Sequence, residues 1–244
     1  MSKYKENGIE IDGLDDIEFE NTAVDDLDSE SVNLMFLGID ESGSMTSHIN
    51  TMRASLNGFK TGLSNSKDAD EILVARADFS DFVNVGGYKK IQEFDDSYST
   101  FYTTSLYDVI IEGAGKLKEY RKFLKDTGMS RVKAVFAIFS DGKDEGSMHS
   151  FSEAKREIGT LDSEGKYPPE SLNGMEVTTA FVAFGDKALD EAKNLGFRNI
   201  LDVYNIKGED LESKLREAFA CLSKSVIESS KSVLSDDGDD FFQV

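Results

Sequence analysis

The 244 residues, 39% of them apolar, suffice to bury one sizeable core, and a net charge of −20 speaks against phosphate backbones and anionic membranes as partners. Cys221 is the lone cysteine and His48 and His149 are the two histidines, which excludes an internal disulfide and a zinc cluster of the Cys/His type. No apolar run approaches a signal peptide or the roughly 20 residues of a membrane span, so a cytoplasmic protein is expected.

The acidity is concentrated at the ends. Residues 1–31 hold eleven acids and two lysines, residues 235–244 four aspartates and no base, and the 203 residues between them carry −7. Ile9, Ile11, Ile17 and Phe19 alternate weakly around Gly13, which fits either a short hairpin lying on the domain or a disordered acidic arm. From Val32 to Ile39 the chain is almost continuously apolar, as a parallel strand buried on both faces requires. Ile49, Met52, Leu56, Phe59 and Leu63 then recur three or four apart, which predicts a helix over 47–63. Residues 72–79 form a second strand, and Ser80-Asp81 turns the chain into Phe82–Val85 as an antiparallel edge. A helix over 105–124 precedes an apolar strand at 132–139. A helix at 152–163, a strand at 177–184, a short helix at 187–195 and a strand at 200–206 follow. The closing helix, 209–227, places Leu211, Leu215, Phe219, Leu222 and Val226 on one stripe, with Cys221 half-buried beside it.

This alternation predicts an α/β fold: a doubly wound, mostly parallel sheet with one antiparallel edge strand and helices on both faces. It divides the chain into an acidic N-terminal extension (1–31), one domain (32–229) and an acidic C-terminal tail (230–244).

In such sheets ligands sit beyond the carboxyl ends of the strands. Three connections at that end carry oxygen-bearing side chains: Asp40-Glu41-Ser42-Gly43-Ser44-Met45, Thr103-Thr104-Ser105-Leu106-Tyr107-Asp108, and Ser140-Asp141-Gly142. Two carboxylates and three hydroxyls suit a hard cation such as Mg²⁺ and suit zinc or copper poorly.

Asp40-x-Ser42-Gly43-Ser44-Met45 after an apolar strand resembles the first motif of the metal-ion-dependent adhesion site of von Willebrand factor A domains. Thr104-Ser105-Leu106-Tyr107-Asp108 resembles that family's threonine loop, Phe139-Ser140-Asp141-Gly142 its aspartate loop, and Phe79-Ser80-Asp81 its second-strand ending. The resemblance covers about residues 32–228, with one departure: Tyr102 and Thr103 stand where the family usually has Gly. It implies a metal site of Asp40, Ser42, Ser44, Thr104 and Asp141 for Mg²⁺, or Mn²⁺ or Ca²⁺. Ser42 and Ser44 would bind directly and Thr104 directly or through water, while Asp40 and Asp141 would mostly hold waters and orient the hydroxyls. With few carboxylates on it, such an ion keeps an open position for an Asp or Glu of a protein partner. Intracellular members of the family commonly work as adaptors for AAA-type ATPases or in stress-response systems. The expectation is therefore a cytosolic, non-enzymatic interaction module with no nucleic-acid or membrane partner.

Other chemistries fit less well. An aspartyl phosphatase would want a second acid two residues after Asp40, where Ser42 stands. No G-x-S-x-G elbow surrounds Ser42 or Ser44, and Gly58-Phe59-Lys60-Thr61 lacks the Gly-Lys of a phosphate loop. His48 and His149 read as solvated loop residues, as do Asp144 and Glu145. Mimicry of nucleic acid by an acidic inhibitor would rest on charge alone. The ending Asp239-Asp240-Phe241-Phe242-Gln243-Val244 reads either as a frayed terminus or as a docking peptide. Its acids, with Asp236 and Asp237, are also candidate competitors for the metal.

Overall fold

The structure, a computed structural model, describes residues 31–203 apart from 67, 68, 102 and 143, together with residue 213. The acidic extension, the tail and the helix expected at 209–227 lie outside the described residues, except for Ser213, which is helical and exposed.

The sheet is built from β1 (Ser31–Asp40), β2 (Ile72–Phe79), β3 (Val83–Val85), β4 (Lys89–Lys90), β5 (Arg131–Ser140), β6 (Thr178–Ala183) and β7 (Asn199–Asp202). Its order is β3-β2-β1-β5-β6-β7, with β4 also on β2, and every pairing among β2, β1, β5, β6 and β7 is parallel. The fold is thus a doubly wound, mostly parallel α/β sheet. The single antiparallel edge read from the sequence is two pieces. β3 pairs the end of β2 and β4 its start, separated where the Gly86 N–H bonds the Arg76 carbonyl at 2.8 Å.

Among the described residues four α-helices cover the two faces: α1 (Ile49–Ser64), α2 (Leu106–Asp126), α3 (Phe151–Ile158) and α4 (Asp186–Leu195). Alternation along β1 sorts the core. Leu34 and Phe36 point to the face covered by α2, α3 and α4, while Met35, Leu37 and Ile39 point to the face covered by α1. Phe36 stacks on Phe136 of β5 at 4.9 Å between ring centres, and α2 approaches that pair at Gly113, where a Cβ would stand 2.2 Å from the Phe36 ring.

One boundary moves. The helix expected to run to residue 163 stops at Ile158, because Gly159 takes φ 89°, a conformation unfavourable for other residues. Leu161 had extended the apparent helical spacing, but it is exposed. The Asn173 side chain ties the loop back by donating to the carbonyls of Gly159 (2.7 Å) and Gly196 (3.0 Å). The last strand is described only as Asn199–Asp202, and residues 204–206 lie outside the described residues.

The topology positions the site. From β1 the chain passes over α1 to β2, then returns across β1 to β5, so β1 and β5 flank the point where the winding reverses. Their following helices, α1 and α3, cover opposite faces, which is the arrangement at which open α/β sheets form a crevice at the carboxyl ends of their strands. Ile39 pairs with Phe139 in register, which brings Asp40 level with Ser140.

Candidate metal centre

At the end of β1, Asp40 is fully buried. One carboxylate oxygen accepts the Ser42 N–H at 2.8 Å, and the other accepts the Ser140 hydroxyl at 2.5 Å. The bond from the Ser42 N–H bends the chain toward the 3-10 helix Gly43–His48, with Ser42 at its N-cap and Ser44 in its first turn. Ser42 Oγ lies 2.9 Å from Ser44 Oγ, and Ser44 donates to Asp141 Oδ1 at 2.8 Å. Ser42, Ser44 and Asp141 therefore form one chain of hydrogen-bonded oxygens with Asp40 fixed behind it.

Thr104 is buried on the neighbouring loop and has no hydrogen bond to Ser42, Ser44 or Asp141, but its backbone is tied to the segment after Asp141. Its carbonyl accepts from Glu145 N–H (2.9 Å) and Gly146 N–H (3.0 Å), so the loop that follows Asp141 is laced to the threonine loop. The departure at Thr103 is absorbed locally. Asp81 accepts both the Thr103 N–H, at 2.8 Å, and its hydroxyl, at 2.6 Å, which pins the backbone where the resembling family has glycine.

Several supports were not read from the sequence. The Tyr98 hydroxyl donates to the Asp40 carbonyl at 2.6 Å, and the Phe101 N–H donates to the Glu41 carbonyl at 2.5 Å. Arg76, on β2, bonds the carbonyls of Asp95 (2.7 Å) and Ser97 (2.5 Å) and pairs with Asp78 (2.6 Å) and Glu41 (3.4 Å). It thereby anchors the segment that carries Tyr98. A signal for Arg76 exists in the sequence: Arg76 and Asp78 share one side of a strand that is otherwise apolar from Ile72 to Phe79.

The expected solvation of the histidines and of Asp144 is corrected. His48 packs its ring on Phe184 at 5.5 Å, and His149 Nδ1 lies 2.7 Å from Asp108 Oδ1. Asp144 is half-buried and accepts from the Tyr107 N–H at 3.2 Å in the first turn of α2, a favourable end of a helix for a carboxylate.

The electrostatics favour a cation. Burial, only partly offset by the hydrogen bonds from Ser140 and Ser42, pushes the Asp40 carboxyl up from 3.8 to about 6, and the charge of Asp141 adds to the rise. Glu41 is also raised, first by burial and then by the charge of Asp78. The Tyr98 hydroxyl is pushed up by burial and by the charges of Asp40, Glu41 and Asp141. Negative charge thus accumulates at the strand ends while Arg76 is engaged by Glu41 and Asp78.

The donor set suits a hard ion. It is all oxygen, and among the described residues no group of three or more His, Cys, Asp or Glu side chains could hold a metal, so any ion here would depend on hydroxyls. Ser105, buried next to Thr104, also has a hydroxyl without a hydrogen-bond partner, as fits a site completed by a hydrated ion.

No protein-family model matches the chain, and no curated protein matches it in sequence. Solved structures do match in shape. The pilus adhesin SpaC from Lactobacillus rhamnosus GG superposes with a TM-score of 0.54 at 14% identity, over 83% of this chain and 30% of its own. Proximal thread matrix protein 1 from the mussel byssus gives 0.53 at 15% identity, over 81% of this chain and 47% of its own. A von Willebrand factor type A protein from Catenulispora acidiphila gives 0.53 at 16% identity, over 81% and 43% respectively. This chain spans less than half the length of each. Among the described residues no helix is long and apolar enough to cross a membrane. The shared architecture is the von Willebrand factor A-type fold.

Proposed function

We propose that the crevice between β1 and β5 holds one divalent cation, Mg²⁺ or in its place Mn²⁺ or Ca²⁺, and that the protein uses this centre to grip an acidic residue of a protein partner. The observation that carries the reading is the chain of oxygens from Ser42 through Ser44 to Asp141, backed by a fully buried Asp40, at the reversal point of the sheet. Ser42, Ser44 and Thr104 would supply hydroxyls, and Asp40 and Asp141 would orient those hydroxyls and the ion's waters. A bound cation supplies an electrophilic centre with a position left for an incoming carboxylate. The chain's own residues do the rest. Asp40 fixes the turn through the Ser42 N–H, Ser140 holds Asp40, and the Glu145 and Gly146 amides hold the threonine loop beside Asp141.

The reading is a binding role without catalysis, and the adhesin among the similar structures supports it. We extend it to a cytoplasmic adaptor, with an AAA-type ATPase or a stress-response complex as the partner class.

Capture of partners on the immobilised chain tests this. With Mg²⁺ present, wild type should retain a partner that Asp40→Ala and Asp141→Ala do not. Replacing one Asp or Glu of that partner by its amide should abolish retention. Retention that persists unchanged in EDTA would remove the metal bridge and leave an ordinary surface contact.

A further inference from the structure

Four large apolar side chains stand exposed among the described residues: Phe82 at 69%, Phe101 at 50%, Met148 at 95% and Leu161 at 54%. Their places in the chain sort them. Phe82 follows β2, Met148 lies in the loop after β5, and Phe101 is bonded through its N–H to Glu41 directly after β1. All three belong to the carboxyl end of the sheet, the end of the metal centre. Leu161 follows α3 and falls at the opposite end.

The three loops are knitted to one another. Asp81, adjacent to Phe82, takes both hydrogen bonds from Thr103, two residues beyond Phe101. Glu145 and Gly146, just before Met148, donate to the Thr104 carbonyl, and the Met148 N–H donates to Asp108 at 3.0 Å. Large apolar groups held out to water on braced loops, gathered at one end of a molecule, mark a contact surface. In sequence the same loops carry Asp81, Asp95, Asp96, Asp141, Asp144 and Glu145 against Lys143 and His149, so acids outnumber bases on this face. A partner bringing many acids would meet like charge, whereas one carboxylate at the centre with bases farther out would be complementary.

We infer, resting on the metal-centre reading, that this face takes an extended protein segment with one Asp or Glu for the centre, bulky apolar residues beside it for Phe82, Phe101 and Met148, and Lys or Arg farther out for the acidic rim. The apolar contacts supply affinity, and the rim selects against poly-acidic competitors. The chain's own end matches only half of this pattern. Phe241 and Phe242 suit the apolar ring, but Asp236, Asp237, Asp239 and Asp240 bring four acids to an acidic surface.

The test is selection of a displayed random-peptide library on the full chain in Mg²⁺, followed by titration of a selected peptide. Enriched sequences should share one acid flanked by bulky apolar residues, with basic residues outside them. The selected peptide should bind Phe82→Ser/Phe101→Ser about tenfold more weakly than wild type, while the variant keeps its Mg²⁺-induced rise in melting temperature. That retained rise separates two failures. A wild type whose melting ignores Mg²⁺ sinks the metal centre itself. A normal Mg²⁺ response with peptide binding indifferent to Phe82 and Phe101 overturns the docking surface alone. The docking surface is equally overturned by a selection that enriches nothing or enriches poly-acidic peptides. Tighter binding of a synthetic 235–244 peptide than of the selected ones would overturn it too.

Discussion

At Asp40 a carboxylate sits wholly out of water, held by a backbone N–H and a serine hydroxyl, with a second aspartate nearby. Burial raises its pKa from 3.8 to about 6, so the folded chain holds the proton more tightly than the unfolded chain does. Stability from this group is complete below the ordinary value and is lost as pH rises through about 6, a difference of about 3 kcal/mol. Without metal, the fold should therefore lose stability between pH 4 and pH 6, read as a falling melting temperature in EDTA, as the shift from 3.8 to about 6 requires. Asp40→Asn keeps an acceptor for Ser42 and offers a donor to Ser140, and it removes the buried charge. In EDTA at pH 7.5 it should melt about 5 °C above wild type and show no response to Mg²⁺. A lower melting temperature than wild type would mean that the charge is not a burden there. The five expected site residues became candidates because Asp40, Ser42, Ser44 and Asp141 follow predicted strands and Thr104 stands in the loop before a predicted helix. Tyr98 did not, since it reaches the Asp40 carbonyl from a loop without periodicity, and the role of Arg76 needs the carbonyls of Asp95 and Ser97 in place.

Among the elements, β1, β2 and β5 were the easiest to read, because strands buried on both faces must be apolar throughout. The end of α3 was misread for a physical reason. Ala154, Ile158 and Leu161 keep helical spacing, yet the backbone at Gly159 turns to positive φ and leaves Leu161 in water. The start of the same helix is firmly set by Ser150 and Glu153, which cap each other's backbone. A different constraint governs α2. It lies against the stacked rings of Phe36 and Phe136 only because Gly113 has no side chain, and an added Cβ would stand 2.2 Å from a ring with no room to move. Gly113→Ala should therefore destabilise the fold by about 1–3 kcal/mol, measured by urea unfolding, even though alanine favours helix more than glycine does. The shift of melting temperature with Mg²⁺ should survive in this variant, because the packing lies under the sheet and away from Ser42 and Ser44. A neutral or stabilising effect would show that α2 can lift from the sheet at little cost.

For the molecule as a whole, winding order decides where function can reside. The chain leaves β1 toward β2 and comes back past it to β5, and this reversal sets Asp40 beside Ser140 and Asp141, a hundred residues later. Strand and helix alternation made the doubly wound sheet legible, but not the splitting of its antiparallel edge into β3 and β4. Those pieces are three and two residues long and carry no periodic signal. The most direct test of the central claim is the melting temperature of the full chain in EDTA and in saturating Mg²⁺, for wild type and for Ser42→Ala/Ser44→Ala. An ion that binds only the folded state at a hundredfold excess over Kd adds about 2.7 kcal/mol, so wild type should rise by several degrees and the double variant should not move. Coincident wild-type curves in EDTA and Mg²⁺ would contradict the metal centre.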